Sequence, residues 1–170
     1  RRWTTRWNLP VRVSGWAAAA GLSFSHGGND AQKAMGVIAV LLLASGQTAA
    51  LTVPLWVKVV TGAALTLGTA LGGWRIVKTI GQRIFSLTPL DSFTSQATST
   101  AVILGASLVG APVSTTQVVA SSVVGVGGGR RRWKHVRWEI VREMALAWLT
   151  TIPAAALLAV AVLLAWRAAL

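Results

Sequence analysis

Five apolar stretches alternate with polar segments along this chain. They run over 13–44, with an interruption at "SHGGND", over 54–73, over 97–111 and 113–126 on either side of Pro112, and over 140–166. A helix that crosses the hydrocarbon of a bilayer needs about 20 residues, so 54–73 and 140–166 are simple spans and 13–44 is a long, interrupted one. Trp56 and Trp74 bracket the second stretch, and Trp138 and Trp166 bracket the last. Trp favours the two membrane interfaces, so the spacing supports both spans. Pro153 predicts a kink in the last one. The stretches around Pro112 are about 15 residues each, short of a span. They fit either one span with polar ends or a re-entrant hairpin.

Charge decides between these. The basic residues form clusters at Arg1, Arg2, Arg6 and Arg12, at Arg75, Lys78 and Arg83, and at Arg130, Arg131, Arg132, Lys134 and Arg137. Positive charge is retained on the cytoplasmic side. With a cytoplasmic N-terminus, a single crossing through about 92–126 would put the strongest cluster outside, whereas a hairpin that enters and leaves on one side keeps every cluster inside. The expectation is therefore a re-entrant hairpin over about 92–126, with "LDSFTSQATST" as its polar entry and "APVSTTQ" as its tip, and an external C-terminus. Residues 1–12 read as a basic cytoplasmic linker and 13–170 as the transmembrane domain. Between Trp74 and Pro89, apolar Ile76, Val77, Ile80 and Ile84 alternate with Arg75, Lys78 and Arg83, which predicts a short amphipathic helix at the cytoplasmic interface.

Composition narrows the class. Residues are 54% hydrophobic and only 12% charged, where a soluble domain carries about 25% charge. The net charge of +12 could suggest nucleic acid, but it sits in short clusters between apolar runs and none of the usual nucleic-acid motifs is present. Without cysteine, disulfides and thiolate metal sites are excluded. The chain lacks an initiator Met and reads as the C-terminal part of a longer protein.

Within this apolar setting, "SHGGNDAQK" carries His26, Asn29, Asp30, Gln32 and Lys33. Gly27 and Gly28 predict a break in the first helix, Asn29 a cap for the half-helix that follows, and Gln32, three residues on, a capping box. The segment "GAPVSTTQVV" repeats the device: Pro112 breaks the chain, Ser114 caps and Gln117 follows three residues later. Helix N-termini at membrane depth present free N–H groups to anions. Each feature also has a plainer reading: the glycines as close helix packing, "STT" as a cap alone, His26 as a satisfied interior residue, Lys33 as the ion-pair partner of Asp30. Asp30 is the hardest to explain structurally. An aspartate at membrane depth costs about 2.5–3.5 kcal/mol and usually serves an ion or proton path. Ionised, and joined by Asn29 and exposed carbonyls, it offers hard oxygen ligands to a small cation; it could equally carry a proton. Ser114, Thr115 and Thr116 offer hydroxyls to an oxyanion.

"FSHGGNDAQKAMGVI" together with "GAPVSTTQVVASSVVGVG" resembles the second repeat of the inorganic phosphate transporter (PiT) family over nearly the whole chain. The resemblance implies an all-α polytopic membrane protein, one inverted-repeat half of a secondary transporter with a discontinuous helix and a re-entrant helical hairpin. It implies a cation-coupled phosphate symporter of the cell membrane, driven by H+ or Na+, with no cofactor and no enzymatic activity. Carried over, Asn29 and Asp30 belong to the cation and substrate site and Ser114, Thr115 and Thr116 contact phosphate. His26, Gln32, Lys33 and Gln117 are candidates to line it. The expected partners are inorganic phosphate, free or as a metal–phosphate complex, the bilayer, and the missing N-terminal repeat. A sulfate permease of the same fold and a non-transporting membrane subunit are the alternatives.

Overall fold

The computed structural model describes residues 8–84, 86–129 and 133–169. Five α-helices make up nearly all of it: α1 (Asn8–Ala44), α2 (Leu55–Lys78), α3 (Pro89–Leu108), α4 (Thr115–Gly129) and α5 (Trp138–Ala169). No strand occurs among the described residues. The chain divides into two compact units, Arg1–Val136 and Arg137–Leu170. The first holds α1 to α4. The second holds α5, a 32-residue helix with Pro153 in its interior.

In the first unit α1 packs chiefly on α3, α3 on α4, and α1 on α2. Its interior is unusual for a soluble domain. Ser25, Asn29, Thr61, Asp91, Ser95, Ser99 and Thr115 are buried, while Trp16, Phe24, Leu41, Leu67 and Leu71 are exposed. Water would drive the large apolar groups inward; where lipid is the solvent, small and polar side chains gather between helices instead. Two helical segments, Leu55–Trp74 and Trp138–Ala168, are long and apolar enough to cross a membrane. They coincide with the spans expected over 54–73 and 140–166.

The structure corrects the sequence reading at three places. First, α1 is one continuous helix of 37 residues, about 55 Å long; "SHGGND" does not interrupt it. Interior glycine costs only about 1 kcal/mol relative to alanine, too little to break a helix with apolar turns on both sides. The helix also starts at Asn8, inside the expected linker; residues 1–7 lie outside the described residues. Second, the amphipathic segment after Trp74 is no separate helix. α2 runs to Lys78 and continues into a π-helical turn, Thr79–Arg83. Ile80 and Ile84 are buried, as the periodicity predicts, and the turn packs against α4.

Third, the helical hairpin is present but longer, over 89–129 rather than 92–126. "LDSFTSQATST" is not a polar entry loop but the first half of α3. A capping box starts that helix: the Asp91 amide donates to Thr88 Oγ1, and the Thr88 amide donates to Asp91 Oδ2 at 2.9 Å. Inside it, hydroxyls turn back onto the backbone, Thr94 to the Leu90 carbonyl and Thr100 to the Gln96 carbonyl, so the polar residues leave the helix intact. Its end is set by Gly110 at φ 71°, whose N–H donates to the Ser107 carbonyl while that of Ala111 donates to the Ala106 carbonyl. This is a Schellman motif, which needs the left-handed residue glycine supplies. The break thus lies at Gly110, and Pro112 follows in the linker 111–114.

α4 returns antiparallel to α3. Ser122 Oγ lies 2.6 Å from Ser95 Oγ and 2.8 Å from Ser99 Oγ, a hydroxyl seam in the middle of the hairpin. The outer ends of the two helices therefore meet at one end of the hairpin. The basic run 130–132 that follows lies outside the described residues. Beyond it Trp133 covers Gly128 so closely that a side chain there would meet the indole ring.

Candidate functional site

On a continuous α1, His26, Asn29, Asp30 and Lys33 stand at i, i+3, i+4 and i+7, which places them on one face. That face meets the tip of the α3–α4 hairpin. Asp30 sits at the centre. Its Oδ1 accepts from Lys33 Nζ at 2.8 Å. Its Oδ2 accepts from Thr115 Oγ1 at 3.2 Å, across 85 residues of sequence, and lies 3.5 Å from His26 Nε2. Lys33 Nζ also donates to the Val113 carbonyl in the hairpin linker. One ammonium therefore ties the carboxylate on α1 to the backbone just ahead of α4.

Asn29 is buried beside this group. Its Nδ2 donates to Ser107 Oγ at 3.0 Å, joining α1 to the last turn of α3. Its Oδ1 is buried and has no hydrogen-bond partner among the described residues. A buried acceptor left unmet costs about 1–3 kcal/mol, so this atom is one that a cation or a donor would satisfy.

The three hydroxyl residues of the hairpin tip differ in role. Ser114 is exposed and caps α4: the Gln117 amide approaches its Oγ at 3.5 Å, and the Val118 amide donates to its carbonyl. Thr115, only 3% exposed, turns its hydroxyl to Asp30. Thr116 is half-buried in the same first turn. The expected cap at Ser114 with Gln117 three residues on is present. The expected cap at Asn29 is not. Asn29 lies mid-helix because its side chain takes a tertiary partner, and the carbonyls that a break would have exposed stay in the α1 ladder. A Cβ at Gly27 or Gly28 would meet nothing within 4 Å among the described residues, so packing within this chain does not account for the glycines. Among the described residues, one helix N-terminus faces this site, that of α4.

Gln32 is exposed on α1 and stands outside the cluster. Gln117 instead lines a groove of about 740 Å³ between α3 and α4, with Thr94, Thr98, Ser121 and Ser122. The groove holds one charged residue, Asp91, which the capping box of α3 engages. The ionic cluster lies elsewhere, and its charges and helix N-terminus make it the better candidate site. Ser107 and the Val113 carbonyl were not anticipated. For Ser107 a partial signal existed: Asp91, Ser95, Ser99 and, two steps on, Ser107 follow one i+4 ridge of α3, which winds slowly about the helix axis. Nothing in sequence announces a backbone carbonyl.

Residues 4–159 match the phosphate transporter family. The chain belongs to this family. Membership bears out the resemblance read from "FSHGGNDAQKAMGVI" and "GAPVSTTQVVASSVVGVG". Among relatives, the chain is 43% identical over 148 residues to a probable low-affinity inorganic phosphate transporter of Rhizobium meliloti, covering 86% of this chain and 44% of that protein. It is 42% identical over 141 residues to the protein of the same description from Bacillus subtilis, covering 82% and 42%. A more distant family member is the Arabidopsis thaliana inorganic phosphate transporter 2-1, chloroplastic, 38% identical over 148 residues, covering 84% and 25%. The chain thus spans less than half the length of these relatives. No solved structure gives a significant match. The relatives are named as transporters, which agrees with the expectation that this family member is not an enzyme.

Proposed function

We propose that this chain is the C-terminal half of the transport domain of a cation-coupled inorganic phosphate symporter, with the substrate and cation site at the meeting of α1 with the hairpin tip. The observation that carries the reading is the Asp30–Thr115 hydrogen bond, reinforced by Lys33 reaching the Val113 carbonyl. It brings a membrane-depth carboxylate against the N-terminal turn of α4. A helix N-terminus offers N–H groups and partial positive charge to an oxyanion, and a carboxylate with a neighbouring unmet amide oxygen offers hard ligands to H+ or Na+. Asn29 and Asp30 serve the cation. Thr115 and Thr116 serve phosphate directly, and Ser114 serves it by fixing the helix start. His26 sits against the same Asp30 oxygen. The substrate is phosphate, free or as a metal complex; the relatives' names favour it over sulfate.

The remaining part of the site comes from a preceding repeat of inverted topology in the full-length protein, which resides in the cell membrane. In the half described here the N-terminus is cytoplasmic and the hairpin is re-entrant. One feature supports re-entrance: α4, at 15 residues, reaches only about 22 Å, short of a bilayer core of about 30 Å. Single cysteines at Ser86 and Gly129 in an otherwise cysteine-free full-length transporter then react with an impermeant thiol reagent from the cytoplasmic side only. Labelling from opposite sides would rule out the re-entrant arrangement.

Transport itself is tested by counterflow. Full-length protein in proteoliposomes loaded with unlabelled phosphate accumulates labelled phosphate from outside, in a manner that depends on a Na+ or pH gradient when uptake is net. Loading with sulfate gives no accumulation. Accumulation with neither anion would favour a non-transporting membrane subunit.

A further inference from the structure

Lys33 stands where a coupling cation would have to bind. Its ammonium lies 2.8 Å from Asp30 Oδ1, and it also donates to the Val113 carbonyl. Those are the two kinds of oxygen, carboxylate and main-chain carbonyl, that hard monovalent cations take as ligands. Within this chain the Lys33 side chain is 37% exposed and that of Asp30 27%, so none of the described residues seals the pair. We infer that Lys33 is a tethered cation that competes with the coupling ion for Asp30 and, in the same contact, latches the hairpin tip to α1. This rests on the placing of the cation at Asp30 proposed above.

The consequence is an exchange. A cation that reaches Asp30 displaces the ammonium, and the ammonium must then release the Val113 carbonyl or hold it alone. Release frees the linker 111–114, which carries the start of α4 and with it Thr115 and Thr116. Occupancy at the carboxylate is thereby linked to the position of the oxyanion-facing turn through one side chain. It also leaves a mobile positive charge beside the place where phosphate arrives. Lys33 is a positioning residue in this scheme: it acts on phosphate through Asp30 and the hairpin tip.

The effect is a competition, and competition has a signature that loss of structure lacks. A tethered group competes at an effective concentration in the millimolar range, so its removal sharpens the response to an external ion. The experiment uses the full-length transporter in proteoliposomes, with K33M, K33R and D30N beside the wild type, and titrates Na+ at fixed phosphate. K33M lowers the half-saturating Na+ concentration by about tenfold, or creates a Na+ response where the wild type has none. K33R, which keeps the charge, retains the wild-type dependence. If K33M gives no uptake, the Na+-dependent rise in melting temperature of the purified protein takes its place, larger in K33M than in the wild type. A K33M response to Na+ equal to that of the wild type in both measurements overturns the inference, whatever happens to rate or stability. D30N separates the two levels. Na+ dependence that survives D30N removes the cation from Asp30 and takes the inference down with it. Dependence lost in D30N but unaltered in K33M removes only the role of Lys33.

Discussion

Asp30→Asn in the full-length transporter reduces cation-driven phosphate uptake at least tenfold to a hundredfold, with the protein still folded. The amide has nearly the same shape and keeps one oxygen acceptor, so the Thr115 hydroxyl can retain its partner. What disappears is the negative charge. Lys33 and any coupling cation both depend on that charge, and a hydrogen bond to a charged group is worth about 1.5–3 kcal/mol, which converts to about ten- to hundredfold. Folding is less affected because Lys33 keeps the Val113 carbonyl and stays partly exposed. Initial uptake rates with and without an imposed cation gradient, alongside melting curves, check this. Near-normal cation-driven uptake by the variant would contradict a coupling role for Asp30.

The second large effect separates Thr115 from Ser114. Their hydroxyls are neighbours in sequence but have different duties. Ser114 accepts from the Gln117 amide at the start of α4, and losing such a cap costs about 0.5–2 kcal/mol of stability. Thr115 points to Asp30 and is buried. Thr115→Val keeps the branched shape and deletes the hydroxyl, so phosphate affinity falls about ten- to hundredfold with little change in melting temperature. Ser114→Ala does the reverse: melting falls, and affinity changes less. Equilibrium binding of labelled phosphate to the purified full-length protein, paired with melting in its absence, distinguishes them. A Thr115→Val protein that melts earlier and binds phosphate normally would make Thr115 structural.

Much of this was legible from residue order, and what was not has physical causes. The long apolar helices expected at 54–73 and 140–166 were readable because apolar runs between Trp residues depend on no tertiary contact. The hairpin was readable because Pro112 and Ser114 are local signals for a break and a new start, although the stop itself is set by Gly110. The break at Gly27 and Gly28 was misjudged for the converse reason. A glycine pair weakens a helix by a small, fixed amount, and whether the helix breaks depends on what surrounds it. Here Asn29 finds Ser107 and Asp30 finds Thr115, and such partners lie 78 and 85 residues away. The polar half of α3 was misjudged similarly, because hydropathy stops at Ser and Thr while a helix whose hydroxyls bond its own carbonyls does not. Asp30 drew notice by its setting alone. That Lys33 also reaches a main-chain carbonyl could come only from the fold.

Whether α1 and the hairpin tip form one site is decided by a double-mutant cycle on phosphate binding. Asp30→Ala, which unlike the amide leaves Thr115 no acceptor, Thr115→Val and the double variant of the full-length transporter are compared with the wild type by equilibrium binding of labelled phosphate. Residues in direct contact within one network show coupling of about 0.5–3 kcal/mol, whereas independent sites add to within about 0.5 kcal/mol. The account predicts that the double variant loses clearly less affinity than the two single losses combined, since each removes part of one hydrogen-bonded unit. Strictly additive losses would contradict it and place Asp30 and Thr115 in separate functions.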